Sequence, residues 1–338
     1  MQTMPELRRH YFLDEYCIIA AERGRRPTNF RRDEAKPGDE AACPFCPGNE
    51  GMTPPSDAVY AGRGVLSDGA ERVSGWQMRV FPNAFPAMVS SPEPVNRVVT
   101  GEWTALPGQG YHEVIVDSPR HRENPADFSQ EHMERLIRVY RDRYLHYSES
   151  SLAKYISIFK NWGREAGASF SHSHSQLITL PIIPPQIKME LDAFRRTSFC
   201  PFCNIVEKEA GSSRLVGEDD DWILIAPFYS LVPFETWILP KRHFSSLGEM
   251  SDAESRSLAA LLMQALRGMK SVLNDPPYNL MIFQLPSGYH LNIRIQPAVS
   301  RIAGFEKGTG IRINSIAPEY AAAKLSESAK SDGRSPKS

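Results

Sequence analysis

Apolar positions along the chain change their period in a fixed order, and they do so twice. Behind Ser129, Met133, Leu136, Ile137, Tyr140 and Tyr144 keep the i, i+3, i+4, i+7 spacing of one helix face, with Ser129 as N-cap. Behind Ser251-Asp-Ala-Glu254, which fits a capping box, Leu258, Leu261, Leu262 and Leu266 keep the same spacing. β-rich runs flank both helices. Arg79–Asn83 and Glu113–His121 precede the first, and Tyr155–Phe159 and His172–Pro181 follow it. Ile223–Pro227 and Glu235–His243 precede the second, and Tyr278–Phe283 and His290–Pro297 follow it.

Chemistry repeats along with periodicity. Each series opens on the tetrapeptide C-P-F-C, at Cys43–Cys46 and at Cys200–Cys203, and in each a Glu precedes a His by eight residues, Glu113 with His121 and Glu235 with His243. The chain therefore reads as a tandem duplication of one α+β unit. Strands cluster around one helix per unit, which predicts antiparallel sheets with covering helices rather than a doubly wound parallel sheet. The expected division is 1–195 for the first half and 196–320 for the second. The segment 321–338 is expected to be a disordered tail, for want of apolar residues to pack.

With 338 residues, 41% hydrophobic and 23% charged, the composition is that of a globular protein long enough for two domains. Lys plus Arg (39) nearly balances Asp plus Glu (40), so no overall field favours nucleic acid or an anionic membrane. No apolar run approaches the roughly 20 residues a bilayer crossing needs, and no signal-peptide pattern opens the chain; a cytoplasmic location is expected.

In a reducing compartment, two distant C-x-x-C motifs read as metal ligation before disulfides. Each half supplies two thiols and two imidazoles at equivalent places: Cys43, Cys46, His121 and His172, then Cys200, Cys203, His243 and His290. Cys₂His₂ is the donor set of a closed zinc site, and with no open position such a metal would be structural. The repeat fails at one point. His172-Ser-His174-Ser-Gln176 of the first half faces His290-Leu-Asn292-Ile-Arg294 of the second, which predicts one active centre per chain. Alternation along a strand puts His172, His174 and Gln176 on one face, a metal ligand, a nucleophile and a polar clamp in sequence. A neutral imidazole can attack phosphorus and then serve as leaving group, while Gln176, Ser169 and Asn161 are placed to donate to phosphate oxygens. Arg26, in the basic cluster Arg23-Gly-Arg25-Arg26, is a further phosphate-gripping candidate. His10, His112, His132 and His146 have no repeat partner and are given no role.

These motifs resemble the galactose-1-phosphate uridylyltransferase family of the histidine-triad superfamily. The resemblance spans about residues 5–320 and rests on C-P-F-C-P-G-N, R-V-F-P-N, S-P-R-H, G-A-S-F-S-H-S-H-S-Q, P-F-E-T-W-I-L-P-K-R-H and G-F-E-K-G-T-G. It implies that His174 is nucleotidylated in a ping-pong reaction and that Cys43, Cys46, His121 and His172 hold zinc. It implies that Asn83, Asn161, Ser169 and Gln176 contact the nucleotide, that Phe305 and Gly308 lie on the sugar-phosphate side, and that the protein is a homodimer. The expected reaction moves UMP between UDP-glucose and galactose 1-phosphate. The alternative, suggested by H-S-H where uridylyltransferases carry H-P-H, is an ADP-glucose phosphorylase-like transfer of AMP to inorganic phosphate. A dinucleotide hydrolase is disfavoured by Gln176, where hydrolases carry a further His, and a zinc-ribbon module binding nucleic acid by the balanced charge.

Overall fold

The structure, a computed structural model, describes residues 4–25, 40–62, 64–90, 98–100 and 103–331. Strands β1 (Glu6–Arg9) and β2 (Tyr16–Ile19) open the chain. The first half continues with β3 (Ala58–Ala61), β4 (Gly64–Leu66), β5 (Met78–Pro82), the ribbon of β6 (Val98–Thr100) and β7 (Trp103–Ala105), β8 (His112–Val116), helix α1 (Gln130–Ser148), β9 (Tyr155–Trp162) and β10 (His174–Leu180). Helices α2 (Pro185–Phe194) and α3 (Pro201–Glu209) lead into the second half, with β11 (Leu215–Glu218), β12 (Trp222–Ile225), β13 (Thr236–Pro240), α4 (Asp252–Leu273), β14 (Tyr278–Phe283) and β15 (Asn292–Pro297). The short helix α5 (Gly304–Thr309), β16 (Arg312–Asn314), which joins β1 and β2 in a small sheet, and α6 (Pro318–Ser331) follow.

Eleven strands form one antiparallel sheet in the order β11-β12-β13-β15-β14-β9-β10-β8-β5-β3-β4. Its two halves meet at β9 and β14. Gln176 lies opposite Phe159 in the first half, Arg294 lies opposite Met281 in the second, and Phe159 and Met281 pair with each other across the seam. Equivalent residues thus pair, which puts a pseudo-twofold axis through that contact and makes the chain a fused pair of like units.

The helix face predicted for α1 is buried at Met133, Leu136, Ile137, Tyr140 and Tyr144, and the Ser129 hydroxyl accepts from the His132 amide. α4 buries Leu258, Leu261, Leu262 and Leu266 behind a complete capping box at Ser251 and Glu254. Both helices pack on one face of the sheet in a continuous core with Met78, Val80, Ile115, Ile158, Leu177, Ile282 and Ile293. That leaves the opposite face of the first half free to carry polar groups.

The expectation of a disordered tail from residue 321 is corrected over 321–331. This stretch belongs to α6, where Ala321, Ala322 and Leu325 are buried against α4. Two alanines and one leucine suffice because Gly268 presents no side chain: a Cβ there would sit 3.2 Å from Leu325 Cδ2, so the helices approach closely. Alanine is also the strongest helix former, a weight that counting apolar residues overlooks.

Candidate metal centres and active site

Two Cys₂His₂ groups assemble from the positions the repeat singled out, and within each the four ligand atoms lie within 4.8 Å of one another. In the first, Cys43 Sγ is 3.6 Å from His172 Nδ1, and Cys46 Sγ is 3.1 Å from His121 Nδ1 and 3.5 Å from His172 Nδ1. A tetrahedral zinc with ordinary bond lengths separates sulfur from nitrogen by about 3.6 Å. In the second, Cys200 and Cys203 lie 3.6 and 3.5 Å from His290 Nδ1, and His243 Nδ1 is 3.2 Å from His290 Nδ1. Both groups could therefore bind a metal ion.

Local hydrogen bonds orient the donors. His172 Nε2 donates to the Ser118 carbonyl over 2.7 Å and His290 Nε2 to that of Pro240 over 3.1 Å, so each turns Nδ1 to the thiols. The Asn49 amide ties down the Cys43 carbonyl and Arg79, buried over Phe81, ties down that of Pro44, which fixes the first C-P-F-C loop. Without a cation, burial and the neighbouring Cys43 push the Cys46 thiol up to about 12, a cost that a dication offsets by stabilising the thiolate. The first group is buried throughout, whereas His243 of the second is exposed.

His174 is the first residue of β10 and is 6% exposed. Its Nδ1 lies 2.8 Å from the His172 carbonyl oxygen and so carries the proton, leaving the lone pair on Nε2. Burial holds this imidazole below its ordinary range. Phe45, from between the two cysteines, lies 5.2 Å from the His174 ring, and Phe170 lies 6.4 Å away.

Strand register sets the rest of this face. His174 and Gln176 lie beside Val116 and Val114 of β8, Phe159 and Asn161 of β9 share their side, and Phe81 of β5 completes it. The Asn161 amide oxygen accepts from Asn279 over 2.8 Å, which turns its nitrogen outward at the Gly167 turn, where φ is +92°. Gln176 Oε1 is 2.8 Å from His112 Nε2, and the Asn83 amide nitrogen is 3.1 Å from the same atom. Neither of two cavities, of about 470 and 670 Å³, is lined by His174 or Gln176; the larger opens beside Asn83 and His112.

The underside of β10 is held by a buried charged network. Lys160 donates to Asp117 at 2.5 Å, to the Ser173 hydroxyl at 2.8 Å and to the His174 carbonyl at 3.1 Å. Ser173 and Ser175 both donate to Asp117, and Tyr140 meets Ser175 at 2.6 Å. The H-S-H-S sequence is thus explained: its two hydroxyls bond the Asp117 carboxylate.

In the second half the corresponding face is filled. Asn292, in the place of His174, keeps the contact to the preceding strand end, donating to the His290 carbonyl over 3.1 Å. Arg294, in the place of Gln176, lies between Trp237 and Phe283 and pairs with buried Glu190 of α2 at 2.9 Å.

The other described residues picked out in the sequence lie at the surface. Ser169 is exposed in the loop before the strand. Phe305 and Gly308 lie on the exposed α5, and no hydrogen bond or ring contact among the described residues ties them to His174. Arg26 lies outside the described residues. His112, Phe45, Asp117 and Lys160 were missed; for Phe45 the signal was its repetition inside both C-P-F-C motifs.

A duplicated antiparallel sheet, two candidate metal centres and one histidine-bearing strand define the class. Among known proteins, a family model described as galactose-1-phosphate uridyl transferase, N-terminal domain, matches residues 2–184, and one described as a domain of unknown function (DUF4921) matches 124–333. ADP-glucose phosphorylase of Arabidopsis thaliana is 33% identical, covering 96% of this chain and 93% of its own, and galactose-1-phosphate uridylyltransferase of Thermotoga maritima is 29% identical, covering 96% and 98%. The crystal structure of the Arabidopsis phosphorylase with bound ADP-glucose superimposes with a TM-score of 0.78 at 30% identity over 96% of this chain and 99% of that one. The chain belongs to the galactose-1-phosphate uridylyltransferase family and is a nucleotidyltransferase of that family. Among the described residues, no helix is long and apolar enough to cross a membrane.

Proposed function

We propose that His174 Nε2 attacks the α-phosphorus of a nucleotide-sugar. The new P–N bond forms as the bond from phosphorus to the bridging oxygen breaks, and the sugar 1-phosphate departs with that oxygen. An oxygen of a second phosphate then attacks phosphorus and the P–N bond breaks, restoring the imidazole. The observation that carries this reading is the 2.8 Å contact from His174 Nδ1 to the His172 carbonyl, which commits one nitrogen to donation and the other to attack. The amides of Gln176 and Asn161, on the same face, supply donors for the phosphate oxygens as charge develops there.

Both Cys₂His₂ sets suit zinc, which would brace the strand ends; the first includes His172 and so fixes the residue whose carbonyl orients His174. For the donor, the sequence expectation is UDP-glucose with galactose 1-phosphate as acceptor. ADP-glucose with inorganic phosphate is favoured by the 33% identity to the phosphorylase, against 29% to the uridylyltransferase, and by the H-S-H-S-Q strand. Incubation with each donor, followed by peptide mass analysis, tests both levels. An AMP or UMP adduct on His174, absent from His174→Gly, supports the mechanism, and its base names the donor. Turnover without any labelled histidine overturns it.

A further inference from the structure

His112 has no counterpart in the repeat, yet its ring makes three close contacts at the edge of the proposed site. The Ala87 amide N–H donates to His112 Nδ1 over 3.0 Å. A main-chain amide is only ever a donor, so Nδ1 is unprotonated, and the neutral ring carries its hydrogen on Nε2. Through that hydrogen His112 Nε2 donates to Gln176 Oε1, with 2.8 Å between nitrogen and oxygen. The Asn83 amide cannot use the same nitrogen as an acceptor, since its own oxygen takes the Phe85 amide at 2.9 Å and its nitrogen faces a ring edge already protonated.

A free Gln side chain presents its oxygen or its nitrogen to a ligand with nearly equal ease, and only the nitrogen helps a phosphate oxygen that gains charge. We propose that His112 is a positioning residue: its backbone-fixed tautomer holds the oxygen of Gln176 and so turns the amide N–H₂ toward the transferred phosphoryl group. The chain of cause runs from the Ala87 N–H through the imidazole to Gln176. His112 is 9% exposed on β8, in the cross-strand row next to Val114, which pairs with Gln176, so packing also restrains its ring. Nothing in this arrangement requires His112 to touch substrate. Its effect is confined to steps in which the phosphoryl oxygens gain charge, and ground-state binding of the nucleotide-sugar is left largely alone.

The inference rests on the phosphoryl-transfer reading above, and its tests separate the two. In single turnovers at saturating donor, His112→Phe should slow formation of the His174 adduct about tenfold, a fraction of the loss on removing a whole oxyanion donor, while donor Kd moves less than about threefold. His112→Gln, which restores a donor of similar reach, should recover most of the rate. Added to Gln176→Ala, His112→Phe should have no further effect, because the two form one unit. Additive losses, or a wild-type rate in His112→Phe, overturn the inference. Ring ¹⁵N NMR of the resting protein provides a reading independent of turnover: a His112 signal protonated at Nε2 and bare at Nδ1 is expected, and the reverse tautomer overturns the proposal. If wild-type protein forms no adduct, the reaction scheme fails while the tautomer result still judges the His112–Gln176 contact.

Discussion

The ammonium of Lys160 donates to the main-chain carbonyl of His174 over 3.1 Å, from the side of the sheet opposite the imidazole. Lys160 is 3% exposed and its partner Asp117 is fully buried, so each charge depends on the other for solvation. Lys160→Met would strand the carboxylate in the core and should cost about 3–5 kcal/mol of stability, the usual penalty for breaking a buried pair. Lys160→Met combined with Asp117→Asn keeps an acceptor for Ser173 and Ser175 without the charge, and should recover part of that loss. Urea unfolding midpoints of the two variants check this, and a loss below about 1 kcal/mol in the single variant would contradict it.

That network also marks where sequence reading stops. The duplication, both helices, the strands around them and the two ligand sets were legible because each leaves a local, periodic or repeated trace. Lys160 leaves none: it is one charged residue in an apolar strand, and only the antiparallel register places it under His174. The same holds for His112, whose place beside Gln176 depends on the pairing of Ile178 with His112 across β8 and β10. Asn161 was legible as a polar residue at a strand end, but not the Asn279 contact from the other half that orients it. The tail was misread because α6 needs only small residues against Gly268, and smallness carries no hydrophobic signal.

The two metal groups should behave differently toward chelators. All four ligands of the first are buried, while in the second His243 is exposed and the two cysteines are partly so. Metal analysis of the purified protein should give two zinc ions per chain, and timed treatment with a chelator should remove one equivalent before the other. Cys203→Ser should lose the fast equivalent and still form the His174 adduct, whereas Cys46→Ser should lose the slow one and the adduct together, because His172 positions His174. Simultaneous release of both ions, or adduct formation in Cys46→Ser, would refute this ordering.

Restoring a histidine to the second half should not create a second centre. Asn292→His supplies the missing imidazole, but Arg294 and Glu190 already occupy the face a phosphate would need, and Tyr289 bonds Glu190 from the same side. Intact-mass measurement after saturation with donor should still show one nucleotide per chain. Two would mean that the buried Arg294–Glu190 pair yields to substrate, contrary to the cost of separating it.

Glu254 offers a test of the fold by pH. Its hydrogen bonds from Arg242 hold the carboxyl down at about 2, with further help from the Ser251 amide at the start of α4. An unfolded chain returns it to about 4.3. Above that value both states are ionised and the capping interaction contributes fully; as pH falls below it, the unfolded chain takes up the proton first and the stabilisation drains away, until it is gone near pH 2. Glu254→Gln should therefore be less stable than wild type at pH 7 by about 1 kcal/mol, the usual worth of a helix cap. The gap should narrow steadily below about pH 4.3. Trp222 reports on this directly, since its indole N–H donates to the Glu254 carbonyl at 2.9 Å, and fluorescence-monitored thermal unfolding of both proteins down the pH range would show the convergence. A gap that stays constant, or widens with acid, would mean that the carboxylate contributes nothing as an anion and that α4 is held by its apolar face alone.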